Sequence, residues 1–229
     1  MNIIVFLTKL DLKKAFKEAL PAIFISITIL SFNSGQYVNE TVNNMQIINQ
    51  VKVKKIKNQN IKKVNKKYKF IKEKIKTLNP NVEARKLTKL ILNFSKKKKI
   101  EPLLLTSIIN SESTFKINAK SDKGAKGLMQ LIPTTALYIS RLKKIELKNP
   151  EHIYEPKTNL KLGVSYFNYL LKKYQGNKKF ALMAYNWGPG NLNKALKNKK
   201  NVIKPVQDYA EKIIARSDKW ANEYKKVYL

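Results

Sequence analysis

The chain has 229 residues, 43% of them hydrophobic, which suffices for one core of ordinary domain size plus attachments. It contains no cysteine, which excludes disulfides, thiol nucleophiles and thiolate metal sites. Its formal net charge is +32, yet only three of the 47 basic residues are arginines (Arg85, Arg141 and Arg216), so arginine-led bidentate readout of nucleic acid is disfavoured.

Lys9, Lys13, Lys14 and Lys17 precede a mostly apolar run of 14 residues from Ala19 to Phe32. A full membrane span needs about 20 such residues, so this basic flank and short run predict a signal peptide over residues 1–34. A retained signal anchor attached to the membrane through residues 19–32 is the variant reading, and a buried core helix is the bland one. In the first two cases everything after Phe32 lies outside the cytoplasm.

Residues 35–79 read as a second region, a polar Asn/Gln-rich tether followed from Val51 by a lysine-rich helix. Ile61, Val64, Tyr68, Ile71, Ile75 and Leu78 recur there at three- and four-residue steps, a narrow seam on a solvated helix. Such a helix could serve as a spacer, pair with a partner or lie on an anionic surface. Across residues 51–100 there are 19 lysines and arginines against two acids, Glu73 and Glu83, about half of the chain's excess charge. That charge fits solubility and attraction to an anionic polymer equally well.

Asn79-Pro80-Asn81 breaks the helix and predicts a globular domain over 80–229. Asn81 is the expected N-cap of a helix from Val82 to about Ser95, with Ala84, Leu87, Ile91 and Phe94 on its apolar face. After a lysine loop at 96–99, Pro102 opens a helix carrying Leu103, Leu104, Leu105, Ile108 and Ile109, which ends at Ser111-Glu112-Ser113. The polar, glycine-punctuated segment 116–127 follows, with a short extended piece expected at 126–131. Further helices are predicted from Pro133, over 159–174, over 180–186 and over 206–224, with a turn at Trp187-Gly188-Pro189-Gly190. Strand signals are sparse, no internal repeat is present, and the fold class is mainly α.

Glu112 is the residue with chemical promise. At a helix exit the dipole disfavours its charged form by about 0.3–1 kcal/mol, less than one pKa unit. Burial under neighbours such as Phe115, Met129 and Tyr185 must supply the rest before the carboxyl could donate a proton near neutrality. A structural helix-end glutamate is the alternative. His152 is the sole histidine, which argues against a histidine-based triad or a zinc cage.

Three separated blocks agree in order and spacing: Glu112-Ser113-x-Phe115 with Ala119-x-Ser121, then Gly124-Ala125-x-Gly127-Leu128-Met129-Gln130, then Ala184-Tyr185-Asn186-x-Gly188-Pro189-Gly190. Over about residues 82–220 the chain thereby resembles the catalytic domain of soluble-type lytic transglycosylases. The resemblance implies a lysozyme-like (goose-type) helical domain acting on peptidoglycan glycan strands, with no cofactor and no metal. Glu112 would be the sole acid and base, cleaving the bond between N-acetylmuramic acid and N-acetylglucosamine with formation of a 1,6-anhydro product. Ser121, Met129, Gln130, Tyr185 and Asn186 are implied to bind substrate, Tyr185 by contacting Glu112 or the sugar. Tyr209 matches the tyrosine of the family's last helix. Ser121 could equally be a turn serine, Met129 a core residue and Tyr185 a satisfied core tyrosine.

The sequence departs from the pattern in two places. Trp187 stands where a small residue is usual, and Asn201-Val202-Ile203-Lys204-Pro205 lacks the expected acid. The resemblance implies export, to the periplasm or the outer face of the inner membrane. The competing readings are a hydrolase using Asp122 as second carboxylate, a non-catalytic wall-binding or secretion-assembly factor, and a nucleic-acid binder working through 51–100, which is not expected.

Overall fold

The computed structural model describes residues 35–147, 149–198 and 201–228. The apolar run 19–32 therefore lies outside the described residues. Among the described residues no helix is long and apolar enough to cross a membrane.

The first helix, α1, runs without interruption over Gly35–Leu78. No proline or glycine falls between Gln36 and Leu78, so the polar stretch 35–50, read as a tether, has nothing to stop it continuing as helix. The chain divides into two compact units, Met1–Ile61 and Lys62–Leu229. In the first, Val42, Ile47, Ile48, Val51, Val53 and Ile56 are all exposed.

The second unit begins well before the Asn79-Pro80 break. Phe70, Ile71 and Ile75 are buried, whereas Val64 and Leu78 remain exposed, so the packing seam is shorter than the periodicity predicts. Its partner is the last helix, α8 (Lys204–Tyr228). Phe70 meets Tyr224 edge to face at 5.6 Å, Lys67 sits 3.9 Å over the Tyr224 ring, and Lys74 pairs with Glu223 at 2.5 Å. A contact between segments so far apart in sequence leaves no local trace, which is why the break at Pro80 looked like the domain boundary.

Helix α2 (Ala84–Lys98) buries the expected face, Ala84, Leu87, Ile91 and Phe94. Its start differs from the expected Asn81 cap. Glu83 precedes the helix without a side-chain cap bond. Asn79 organises the turn instead: its Oδ1 accepts from the Asn81 N–H at 3.2 Å and its Nδ2 donates to the Thr114 carbonyl at 3.0 Å. The lysine run expected as a loop continues the helix, which stops where Lys99 turns left-handed.

Helix α3 (Pro102–Ser113) begins with proline at its first position, and the Glu101 carboxylate accepts from the N–H groups of Leu103 (2.5 Å) and Leu104 (3.0 Å). Every residue from Leu103 to Ile109 is buried, so α3 is wrapped on all sides and forms the centre of the domain. Helix α8 is bonded to it: Ser107 Oγ donates to the Ile213 carbonyl at 2.9 Å, and Arg216 donates to Ser111 Oγ at 2.9 Å.

The remainder is α4 (Pro133–Leu142), a 3-10 turn (Pro150–Tyr154), α5 (Pro156–Lys173), α6 (Lys178–Trp187) and α7 (Pro189–Lys197). Helix α7 was not expected; Pro189 at its first position nucleates it after Gly188, whose φ of 88° allows the sharp exit from α6. The extended piece at 126–131 is reduced to isolated bridges, Lys120 with Lys126 and Lys126 with Leu131.

Because the end of α1 completes the core, residues 62–229 should withstand more urea than residues 80–229. In the full chain, Ile71→Ala should lower the unfolding free energy by about 2–5 kcal/mol. Equal denaturation midpoints for the two fragments would show that α1 contributes nothing.

Candidate active site

Glu112 is the penultimate residue of α3, and the chain leaves the helix abruptly just beyond it. Thr114 (φ 47°) and Phe115 (φ 62°) are both left-handed, costly for a β-branched and an aromatic residue at about 1–3 kcal/mol each. Three restraints hold this turn. The Phe115 side chain is fully buried. Asn79 grips the Thr114 carbonyl. Ser113 Oγ lies 2.9 Å from the Leu128 carbonyl and 3.2 Å from that of Ile109.

The loop that follows the Glu112 turn, residues 116–131, is held by a residue the sequence reading passed over. Asn159, on the first turns of α5, is completely buried. Its Oδ1 accepts from the Met129 N–H at 2.8 Å, and its Nδ2 donates to the carbonyls of Lys126 (3.0 Å) and Ile153 (2.8 Å). A side chain at Gly127 would come within 2.3 Å of that same Nδ2, and Gly127 also has φ 77°, so glycine is obligatory there. The available signal was an amide among Leu160, Leu162 and Val164 on a face otherwise destined for the core.

The expected substrate-binding residues separate into two groups. The Met129 side chain is fully buried over Gly163, where an added Cβ would lie 2.5 Å from its sulfur. Met129 is thus a core residue whose backbone does the work, rather than a side chain facing substrate. Tyr185, on α6, donates to the Met129 carbonyl at 2.7 Å. Tyr185 was expected to contact Glu112 or the sugar; the hydroxyl bonded to Glu112 Oε1 is that of Tyr209, on α8, which donates to it. Tyr185 lies close enough for the Glu112 charge to help burial raise its pKa.

The second group is more accessible. Ser121 Oγ accepts from the Ala125 N–H at 3.1 Å, which uses a lone pair and not the hydroxyl hydrogen. Gln130 (φ 44°) spends its amide N–H groups on the carbonyls of Ala119 (3.1 Å) and Gly127 (3.0 Å), which leaves Oε1 as an acceptor. Asn186 is exposed near the end of α6, and Asp122 is exposed in the loop.

Burial raises the Glu112 carboxyl from 4.5 to about 7, against the opposing hydrogen bond from Tyr209. The shift is larger than a helix terminus alone can produce, so desolvation supplies most of it. Among the described residues no lysine or arginine offsets the penalty and no second carboxylate adds to it. No group of three or more potential metal ligands occurs among them either. The arrangement is one acid, poised to give up and retake a proton near neutrality, with a phenol to steady its anion.

The transglycosylase SLT domain family matches residues 89–206. The chain is 34% identical over 118 residues to the soluble lytic murein transglycosylase of Salmonella typhimurium, a match covering 51% of this chain and 18% of that protein. It is 36% identical over 98 residues to the membrane-bound lytic murein transglycosylase E of Buchnera aphidicola, covering 42% and 44%. The fold superposes on the 70 kDa soluble lytic transglycosylase of Escherichia coli with a TM-score of 0.55 and 26% identity, over 58% of this chain and 24% of that one. The chain thus spans less than a fifth of the Salmonella relative and under half of the Buchnera one.

A raised carboxyl pKa costs stability only where the unfolded chain ionises first. Below pH 4.5 Glu112 is protonated in both states and the cost is nil; it grows as pH rises and is complete above about 7, at about 3 kcal/mol. Glu112→Gln should therefore stabilise the fold at pH 8 and not at pH 4, as read by thermal melts across that range; a pH-independent difference would refute the burial. Asn159→Ala, which strands one N–H and two carbonyls, should cost at least about 2 kcal/mol in urea unfolding at any pH.

Proposed function

For a chain that belongs to the transglycosylase SLT domain family, we propose lytic transglycosylase activity on bacterial peptidoglycan. The observation that carries this reading is the solitary Glu112 carboxyl, pushed to about 7 by burial and bonded by Tyr209. A two-carboxylate hydrolase needs a partner acid within about 5–9.5 Å. Asp122, the acid in the loop after Glu112, is exposed and contributes nothing to the Glu112 titration.

In this mechanism protonated Glu112 delivers its proton to the oxygen joining N-acetylmuramic acid to N-acetylglucosamine. The substrate's own N-acetyl oxygen supports the positive charge at C1 as the bond breaks. Glu112 is now an anion in a desolvated place, and the Tyr209 hydroxyl is aimed at it. It regains a proton from the muramyl 6-hydroxyl, whose oxygen closes onto C1. The product is the 1,6-anhydro sugar, no water is consumed, and the acid is returned to its starting form. Acid–base help of this kind is worth about 10²–10⁴ in rate.

The sugar-facing groups in this reading are the Ser121 hydroxyl, the Gln130 Oε1 and the Asn186 amide. Met129 and Tyr185 act at one remove, by holding the loop in place. The lysine excess draws the enzyme to a polymer rich in carboxylates. The relatives include soluble and membrane-bound enzymes. Export by residues 19–32, to the periplasm or the outer face of the inner membrane, brings this chain to the same wall. No cofactor enters the reaction.

Purified sacculi incubated with the protein should release fragments one water lighter than hydrolysis products, as mass spectrometry will show; fragments of hydrolysed mass would replace this reading with a hydrolase. Glu112→Gln should reduce release by about 10²–10⁴ or more. The rate should fall as pH rises above about 7. Because the Tyr209 bond lowers the Glu112 pKa, Tyr209→Phe should move that fall to higher pH while lowering kcat.

A further inference from the structure

Three residues of α8 are bonded to α3 along one line. Tyr209, Ile213 and Arg216 recur at four- and three-residue steps and so share a face of the helix. The Tyr209 hydroxyl donates to Glu112 Oε1, and the Ile213 carbonyl accepts from Ser107 Oγ at 2.9 Å. Arg216 Nη1 donates to Ser111 Oγ at 2.9 Å and to the Ser107 carbonyl at 3.3 Å. The later residues of α8 meet the earlier ones of α3, so the two helices run antiparallel. Arg216 and Tyr209 lie at opposite ends of this row of bonds.

The mechanism above makes no use of Arg216. It is one of only three arginines among 47 basic residues. It is half-buried, and withdrawal from water lowers its pKa. Among the described residues no carboxylate pairs with it. A guanidinium drawn out of water without a counter-ion is costly, and its fixed planar fork is what suits it to such a place. Here a single nitrogen spans two residues one turn apart on α3, and the second of them, Ser111, immediately precedes Glu112. Lysine would offer the charge on a flexible stem, without that geometry.

The buried face of α8 is otherwise apolar or small, with Val206, Ala210, Ile213, Ser217 and Trp220. Burial of such residues is non-directional, whereas hydrogen bonds weaken steeply when stretched or tilted. We propose that Arg216 is a positioning residue: by gripping Ser107 and Ser111 it fixes the register of α8 on α3 and so keeps the Tyr209 hydroxyl on Glu112. Its charge is not among the influences on the Glu112 carboxyl. The titratable groups that face Glu112 from the packed helices are Tyr209 of α8 and Tyr185 of α6. Arg216 therefore acts on the acid through the place it gives Tyr209. This inference rests on the reading of Glu112 as the acid and base of the reaction.

The sign of the effect follows from the Tyr209 bond, which lowers the Glu112 pKa against burial. When α8 slips the bond weakens, and the titration midpoint of Glu112 rises above about 7. The test is a carboxyl-carbon NMR titration of glutamate-labelled protein, the Glu112 signal being assigned by its loss in Glu112→Gln. Arg216→Lys should raise the midpoint in the same direction as Tyr209→Phe, although the charge is kept. Added to Tyr209→Phe, it should raise the midpoint no further, since the bond it governs is already gone. On soluble glycan strands Arg216→Lys should lower kcat about tenfold with KM unchanged, and carry the fall of rate to higher pH.

A midpoint that stays in place in Arg216→Lys would overturn the proposal, leaving Arg216 a role in stability alone. An equal shift with and without the Tyr209 hydroxyl would overturn it too, by showing that the side chain acts on Glu112 directly. Ser111→Ala, which keeps the arginine and removes one of its acceptors, should raise the midpoint as well, and takes the place of Arg216→Lys if that variant melts early. Should the unaltered protein release no anhydro fragments, the proposed activity fails, and the titration, which needs no substrate, still decides the role of Arg216.

Discussion

The site depends on the removal of one carboxyl group from water with no counter-ion for it among the described residues. Glu112 stands at the C-terminal end of α3, where the helix dipole already opposes a negative charge, and the surrounding protein completes the effect. Tyr209 supplies a single hydrogen bond that works in the other direction. The two influences leave the group near 7, where it loses and regains a proton with little driving force either way. A salt bridge would have made it a permanent anion, and deeper burial without the phenol a permanent acid.

The scaffold spends its internal hydrogen bonds on keeping that position. Asn159 ties three backbone groups of the 116–131 loop and its surroundings, Tyr185 takes the Met129 carbonyl, and Ser113 reaches across to Leu128. Most of these bonds run from a helix side chain to the backbone of an irregular segment, so the loop keeps one shape without a sheet beneath it. The left-handed pair Thr114 and Phe115 is strained, and it persists because Phe115 is locked into the core while Asn79 holds the preceding carbonyl.

Charge is sorted by position. In a chain of net charge +32, no lysine or arginine among the described residues enters the electrostatic balance of Glu112, while exposed lysines cover much of α1, including residues 52–57. Where lysine does meet the core it works by its stem and by cation–π contact, as Lys67 does over Tyr224. The surface can therefore act on an anionic polymer at a distance without shifting the chemistry of the single acid.

The helical class, the exit of α3 at Glu112 and the family blocks were legible because they rest on local rules: apolar period, proline at a helix start, glycine where φ is positive. The need for burial to raise Glu112 was also foreseeable, since the dipole term alone falls short. The roles of the tyrosines were not. Which phenol reaches Glu112, Tyr185 or Tyr209, depends on how α6 and α8 approach α3, and nothing in either local sequence states that angle. Asn159 was hidden for the same reason, being an ordinary helix-start asparagine until its three partners are placed around it. The helical form of residues 35–50 and the compact unit that begins at Lys62 follow the rule as well. Helix propensity and seam spacing are written along the chain, but whether a seam is covered depends on residues more than a hundred positions away, and only the packed structure brings them together.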